Sequence, residues 1–234
     1  MRRGLILGKF MPPHTGHQHL IDFARSYADR VTVLVCSLAD DPIPGALRHR
    51  WVQELHPDCR VVHVTDVVPQ APEEDPAFWP IWRELIHRHE PRGVDLVFTS
   101  EAYGWRLASE LGAAHVPVDP ARRVNPISAE AIRADPFGNW RFLPPPVRPY
   151  YVKRVCLFGP ESSGKSTIAR LLAERLDTVH APEFARDYLD PRGGACGIED
   201  MATIARGQAA AAASAARHAT KLLVLDTDPW LTTV

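Results

Sequence analysis

Short runs of aliphatic and β-branched residues alternate along the chain with longer stretches whose apolar side chains recur every three or four positions. The runs at 3–8, 31–36, 60–64, 94–99 and 115–118 have the length and composition of buried strands. Between them, 18–29, 47–55, 78–89 and 104–111 carry helical spacing, with Trp79, Trp82, Leu85 and Ile86 grouped on one side of 78–89. Strands alternating with helices predict a parallel sheet with helices on both faces, an α/β fold. The pattern then starts again: strand 153–158, glycine-containing turn 159–165 and helix 166–176 repeat the opening series of strand 3–8, turn 9–17 and helix 18–29. A short strand precedes Ala181, a further helix is expected within 199–221, where the alanine run 209–216 has strong helix propensity, and a last strand at 222–225.

Proline marks the join. The chain holds 22 prolines, about 9% against a usual ~5%, and they concentrate from Pro117 to Pro149, ending in Leu143-Pro144-Pro145-Pro146-Val147-Arg148-Pro149. Proline fixes φ and removes a donor, so the stretch predicts a stiff, extended connector and neither a helix nor a central strand. The expected organisation is a domain at 1–143, a linker at 144–150 and a second α/β domain at 151–234.

Composition narrows the classes. At 234 residues, 45% hydrophobic and 24% charged, the chain is an ordinary folded protein. With 27 basic against 28 acidic side chains, the net charge of -1 argues against non-specific nucleic-acid binding. No apolar run is long enough to span a membrane, and the start is too short in its apolar part for a secretion signal. Cys36, Cys59, Cys156 and Cys196 are scattered without zinc spacing, the pattern of reduced thiols in a cytoplasm.

The first candidate site is Gly8-Lys9-Phe10-Met11-Pro12-Pro13-His14-Thr15-Gly16-His17, between a buried strand and a helix. In open α/β sheets ligands bind beyond the carboxyl ends of strands, and a helix N-terminus offers free N–H groups to a phosphate. His14 and His17 can donate hydrogen bonds to phosphate oxygens, Lys9 adds a point charge, and Gly16 lets ligand or backbone come close. A pair of capping or core histidines is the plainer alternative. The H-x-G-H motif after Gly-Lys-Phe-x-Pro-Pro resembles the nucleotidyltransferase superfamily, which implies a Rossmann-like parallel sheet, nucleotide contacts at Gly8, Phe10 and Gly16, and adenylyl or cytidylyl transfer. The superfamily's second motif, Ile-Ser-x-Thr-x-x-Arg, is matched at Ile127, Ser128 and Arg133, with Glu130 at the threonine position. Ser128 can cap a helix and reach a phosphate, Arg133 can clamp the triphosphate, and Glu130 is expected to point outwards as an N-terminal helix acid or else to weaken ATP binding.

Phe98-Thr99-Ser100-Glu101-x-Tyr103-Gly104, Val118-Asp119-x-x-Arg122 and Trp140-x-Phe142-Leu143-Pro144 are similar to stretches of the bifunctional NadR-type proteins, which join a nicotinamide-nucleotide adenylyltransferase to a ribosylnicotinamide kinase. The resemblance implies ATP and nicotinamide mononucleotide as substrates, NAD and pyrophosphate as products, Mg²⁺ as cofactor and Tyr103 as a substrate contact. A flat cationic ring favours an aromatic face, for which Trp82 is the first candidate and Trp79 the second, although the same spacing describes core packing. Glu101 can cap a helix or touch a ligand.

The second site is Gly159-Pro160-Glu161-Ser162-Ser163-Gly164-Lys165-Ser166-Thr167, a G-x-x-x-x-G-K-[ST] P-loop between a predicted strand and helix. Its backbone N–H groups would cradle a β-phosphate, Lys165 would reach the β/γ oxygens and Ser166 would ligate Mg²⁺. Asp226, ending the last strand, occupies the Walker B position and is the second metal candidate. Glu183-x-x-Arg186-x-Tyr188 and Asp226-Thr227-Asp228 resemble the kinase half of the same family, which implies nicotinamide riboside as a ligand. Glu183 would accept the ribose hydroxyl proton or bind the ribose, with Asp228 sharing either acidic task, and either acid is otherwise a helix cap. The P-loop domain reads as a partial kinase without the basic lid that usually follows, so ATP binding with weak or absent phosphoryl transfer is expected. A fusion of phosphopantetheine adenylyltransferase with dephospho-coenzyme A kinase and a non-catalytic nucleotide sensor are the competing readings. A balanced charge and no helix-turn-helix ahead of the first strand speak against repression of transcription. The sequence leaves open the preference for amidated or deamidated mononucleotide and the oligomeric state, a homo-oligomer included.

Overall fold

The computed structural model describes residues 1–160 and 162–227, and the chain divides into two compact units, Met1–Pro144 and Pro145–Val234. In the first, β1 (Arg3–Gly8), β2 (Arg30–Cys36), β3 (Arg60–Val64), β4 (Leu96–Thr99) and β5 (Ala114–Pro117) form one parallel sheet in the order β3-β2-β1-β4-β5. Helices α1 (Thr15–Tyr27), α2 (Gly45–Leu55), α3 (Phe78–His89) and α4 (Gly104–Leu111) connect the strands, and α5 (Ala129–Ala134) follows the last.

Period-two alternation sends each strand's side chains to two separate cores. Ile6, Val33, Val35 and Phe98 pack with Leu20, Ile21 and Ala24 of α1. Leu5, Leu34 and Val97 pack on the opposite face with Phe78, Trp82, Leu85 and Ile86 of α3 and Leu107 of α4. The order of strands reverses between β1 and β4, so the loops leaving these two strands diverge and open a crevice at their carboxyl ends.

The second unit begins with a turn at 145–147 and one helical turn, α6 (Arg148–Tyr151). This corrects the expected extended linker at 144–150. Pro149 falls in the first turn of α6, where a missing N–H breaks no helical bond, and Val147 is fully buried. Strands β6 (Lys153–Cys156), β7 (Val179–Ala181) and β8 (Leu222–Leu225) then pair in parallel in the order β6-β8-β7. They are flanked by α7 (Lys165–Arg175), α8 (Phe184–Leu189) and α9 (Ile198–Ala216). α9 buries Asp200, Ile204, Gln208, Ala212 and Ala216, a stripe of every fourth residue against the unit's interior. No described helix is long and apolar enough to cross a membrane.

One close helix–sheet approach in the first unit is at Gly104, where an added Cβ would run into Thr99 Oγ1 and the His115 ring. Alanine normally stabilises a helix by ~1 kcal/mol over glycine. Here overpacking of about 1–3 kcal/mol is expected to outweigh that gain. Gly104→Ala should therefore lower the denaturation midpoint of the first unit, read by tryptophan fluorescence, since five of the six tryptophans lie within residues 1–144. A raised midpoint would contradict the close packing.

Candidate functional site

The crevice at the ends of β1 and β4 is built around His14. Its extended backbone (φ -145, ψ 173) caps α1, and its Nδ1 accepts the Gly16 N–H at 3.1 Å. That bond starts α1 at Thr15, three residues ahead of the sequence-based expectation, and brings His17 into the first turn. An acceptor Nδ1 has no proton, so the neutral ring carries its proton on Nε2. A Cβ at position 16 would meet the His14 ring at 2.9 Å, so the motif needs glycine there. The His14 and His17 rings stack with centroids 3.8 Å apart, and Phe10 lies 4.9 Å from His17. Phe10 is buried with a left-handed φ of 49, and its ring sits within 3.3 Å of where a Gly8 side chain would project. Burial, with the nearby Arg122 guanidinium, lowers His14 to about 4. Burial, His14 and Arg122 together hold His17 well below the usual imidazole value. The buried His17 Nδ1 has no hydrogen-bond partner among the described residues.

Both histidines line a cavity of about 200 Å³ together with Ser100, Glu101, Asp119, Arg122, Asn125 and Ser128. Space of that size suits a phosphate-sized group. Ser128 caps α5 through a bond from Ala131 N–H to its Oγ at 3.1 Å, and Glu130 in the first turn is exposed, pointing outwards as the helix-acid alternative requires. Arg133 reaches back to donate to the Met11 carbonyl, so it ties α5 to the loop that carries His14. Asp119 has a left-handed φ of 44 and accepts N–H bonds from Arg123, Val124 and Asn125. Burial works to raise its carboxyl, but these donors hold it below the usual carboxylate value.

Two further candidates lie elsewhere. Lys9 is 3.7 Å from Asp41 and does not line the cavity. Trp82 is buried in the α3 core with its indole N–H donated to the Pro69 carbonyl at 2.9 Å, so it packs the core, as its helical spacing equally allowed. Tyr103 donates its hydroxyl to the Leu7 carbonyl at 3.1 Å and leaves part of its ring exposed beside the crevice.

Arg48 went unnoticed in the sequence. It is fully buried, donates to the carbonyls of Lys9, Cys36 and Ile43, and pairs with Asp41. One guanidinium thus ties together the chain leaving β1, the end of β2 and the approach to α2. The available signal was an arginine on the face of α2 that also buries Trp51 and Val52. A wider cleft of about 930 Å³ opens at the opposite ends of the strands, lined by Arg3, Arg30 and Arg60 among others. Helices α1 and α3 point their carbonyl ends toward that edge, which disfavours an anion, so the smaller cavity is the better candidate.

In the second unit, the P-loop, Glu183 and Asp226 follow β6, β7 and β8, all at the carboxyl edge of the sheet. Ser162 (φ 58) and Gly164 (φ 86) give the loop its left-handed turns, Gly164 caps α7, and Ser166 and Thr167 lie in its first turn. Lys165 Nζ donates to the carbonyls of Gly159 at 3.0 Å and Pro160 at 2.8 Å, and Ser163 Oγ to Pro160 at 2.8 Å. The lysine is folded onto its own loop. Asp226 is 3% exposed, and its Oδ1 has no partner among the described residues. An unpartnered buried carboxylate oxygen beside a P-loop fits a divalent cation or its water, although no group of three or more His, Cys, Asp or Glu among the described residues makes a metal cage. Glu183 pairs with Arg186 at 3.2 Å at the start of α8. Gln208, also missed in the sequence, is 1% exposed; its amide accepts from Phe184 N–H at 2.7 Å and donates to the Pro182 carbonyl at 3.1 Å and the Thr227 carbonyl at 3.5 Å. Asp228 and Glu161 lie outside the described residues.

A parallel sheet of order 3-2-1-4-5 with an H-x-G-H helix start at its switch point defines a nucleotidyl-transfer type of site. Residues 5–135, more than half of the chain, match the cytidylyltransferase-like family, and the chain belongs to it. Residues 154–234 match the AAA domain family. The chain is 32% identical over 247 residues to the trifunctional NAD biosynthesis/regulator protein NadR of Escherichia coli (strain K12), covering 96% of this chain and 60% of that protein. It is also 30% identical over 95 residues to a nicotinamide-nucleotide adenylyltransferase of Aeropyrum pernix, covering 37% of this chain and 52% of that protein. The chain thus spans about 60% of the length of the NadR relatives it matches. In fold it resembles a NadR protein crystallised with NAD and AMP-PNP (TM-score 0.78, 24% identity, 99% of this chain and 70% of that one) and one crystallised with NR (TM-score 0.79, 24% identity, 99% and 69%).

The buried histidines make stability depend on pH. The unfolded chain takes up protons near 6.5, whereas folded His14 resists until about 4 and His17 lies well below its ordinary value. The unfolded state therefore binds more protons in that window, and stability falls as pH drops through it. Thermal unfolding at pH 7.5 and 5.5 should show the lower midpoint at 5.5, and His14→Gln, with no ring to titrate, should narrow the gap.

Proposed function

We propose that the first unit, residues 1–143, transfers the adenylyl group of ATP to nicotinamide mononucleotide, giving NAD and pyrophosphate. The observation that carries this reading is the stacked, neutral histidine pair at the start of α1, with the His14 proton placed on Nε2. In the proposed reaction the mononucleotide phosphate attacks the α-phosphorus in line, the bond to the pyrophosphate oxygen breaks, and negative charge grows on the bridging and equatorial oxygens. A neutral imidazole meets that charge with an N–H from a buried position, where a hydrogen bond is stronger than in water. Ser128 and the N–H groups of α1 offer further donors to the phosphate chain. Arg133, through the Met11 carbonyl, holds the His14 loop against α5.

The second unit, Pro145–Val234, is proposed to bind ATP at its P-loop, with nicotinamide riboside as the acceptor that a kinase-like site would take. Lys165 would release its loop carbonyls for the β/γ-phosphates. Ser166 and Asp226 would hold Mg²⁺, which supplies charge neutralisation of the phosphates when bound. The free thiols, two of them buried, support a reducing, cytoplasmic setting.

Pyrophosphate release from Mg-ATP with nicotinamide mononucleotide, and none with phosphopantetheine, is the expected result. His17→Ala should lower turnover by roughly 100-fold or more with an unchanged circular dichroism spectrum; undiminished turnover would refute the site. Lys165→Ala should abolish binding of a fluorescent ATP analogue to the P-loop while leaving pyrophosphate release in place. Loss of both would mean that the two sites are not independent.

A further inference from the structure

The small cavity holds a charge pair to which the H-x-G-H and Ile-Ser-x-x-x-x-Arg motifs contribute neither partner. Arg122 Nη2 donates to Glu101 Oε1 at 3.0 Å, and both side chains line the cavity beside His14, His17 and Ser128. Among the described lining residues Arg122 is the one arginine, and there is no lysine. His14 and His17 are held neutral, so they bring N–H groups but no net charge. Arg133 donates one N–H to the Met11 carbonyl and does not line the cavity. A phosphate group filling this cavity meets Arg122 as the one guanidinium among the described lining residues.

Resting on the adenylyl-transfer reading, we propose that Arg122 is a phosphate-binding residue of this cavity and that Glu101 is a stand-in anion, displaced from it when a substrate phosphate arrives. Two features make the exchange reasonable. The base of Arg122 is rigid: its left-handed φ of 50 sits in a loop closed by three N–H bonds to Asp119. Its tip is free to change partners, because the side chains of Arg122 and Glu101 are 44% and 54% exposed and a solvated pair of this kind is weakly held. A phosphate offers more charge and more acceptor oxygens to the same planar donor. Glu101 then becomes a selective element, since an occupant too weakly charged to displace it leaves the cavity closed by the ion pair. Both substrates carry phosphate, and kinetics distinguishes which one Arg122 holds.

The test is steady-state pyrophosphate release by the full chain, varying ATP at saturating mononucleotide and the reverse. Charge-assisted hydrogen bonds set the scale: Arg122→Ala should raise KM for one substrate roughly 10- to 100-fold, with Arg122→Lys in between. Glu101→Gln should lower that same KM, and should do nothing in the Arg122→Ala background. Unchanged KM values for both substrates in Arg122→Ala would overturn the proposal, as would a KM raised by Glu101→Gln, the mark of a merely structural pair. The companion measurement is calorimetric binding of inorganic tripolyphosphate and of nicotinamide mononucleotide in a Lys165→Ala background, where the P-loop no longer competes. Weakened binding of either in Arg122→Ala without any turnover in the parent would sink the adenylyl-transfer reading and leave the phosphate site standing. Equal binding of both by parent and variant would sink the site.

Discussion

A single hydrogen bond, from the Gly16 N–H to His14 Nδ1, organises the first site. It satisfies one of the free donors of α1 and so sets where the helix begins. It removes the proton from one nitrogen of His14 and thereby assigns it to the other. By starting the helix at Thr15 it brings His17 underneath His14, close enough to stack. The same bond demands a residue with no side chain at position 16. A helix cap is worth about 1 kcal/mol, yet this one defines the protonation state and orientation of the groups expected to meet the phosphate. The remainder of the crevice holds that cap in place: Arg133 grips the loop from α5, and Arg48 ties the chain at Lys9 to the end of β2.

The two units solve a similar problem at the same edge of similar sheets. Parallel strands deliver every connecting loop to their carboxyl ends, where the following helix begins with unpaired N–H groups. In the first unit the loop after β1 carries imidazoles and few charges. In the second, the loop after β6 carries a lysine, and the loops after β7 and β8 carry acids. Donors without net charge suit a reaction in which the nucleotide's α-phosphorus is approached by another phosphate. Lysine with a buried carboxylate suits a nucleotide bound together with its metal.

Much of the framework was legible in the chain. β1, β3, α3, α4 and β8 fall where the hydrophobic pattern places them, because strands buried on both faces and strongly amphipathic helices carry the clearest periodicity. The motif residues His14, His17 and Ser128 do come together, since each lies next to a helix start that local sequence specifies. What stayed hidden depends on tertiary partners. Periodicity assigns Trp82 to a helix face, but only the sheet shows that this face is core. Arg48 reads as one surface charge among many until three carbonyls converge on it. The prolines at 144–149 suggest an extended chain, and Pro149 escapes that rule only because it occupies a first helical turn. Gln208 sits in an alanine-rich helix whose composition carries no sign that its amide bridges two loops.

That amide has a consequence of its own. Gln208 stands in the buried stripe of α9 and reaches the backbone on both sides of Glu183 as well as the carbonyl just after Asp226. The two acids arrive from different strands, and no hydrogen bond joins their side chains among the described residues. Pairing of β7 with β8, closed by the Asp226 N–H donated to the Ala181 carbonyl at 3.1 Å, sets how near they stand, and the Gln208 amide then ties together the backbone that follows both strands. A glutamine here acts as a clasp: shortening it by one methylene would loosen the backbone around both acids while leaving the strand pairing, the acids and the P-loop untouched.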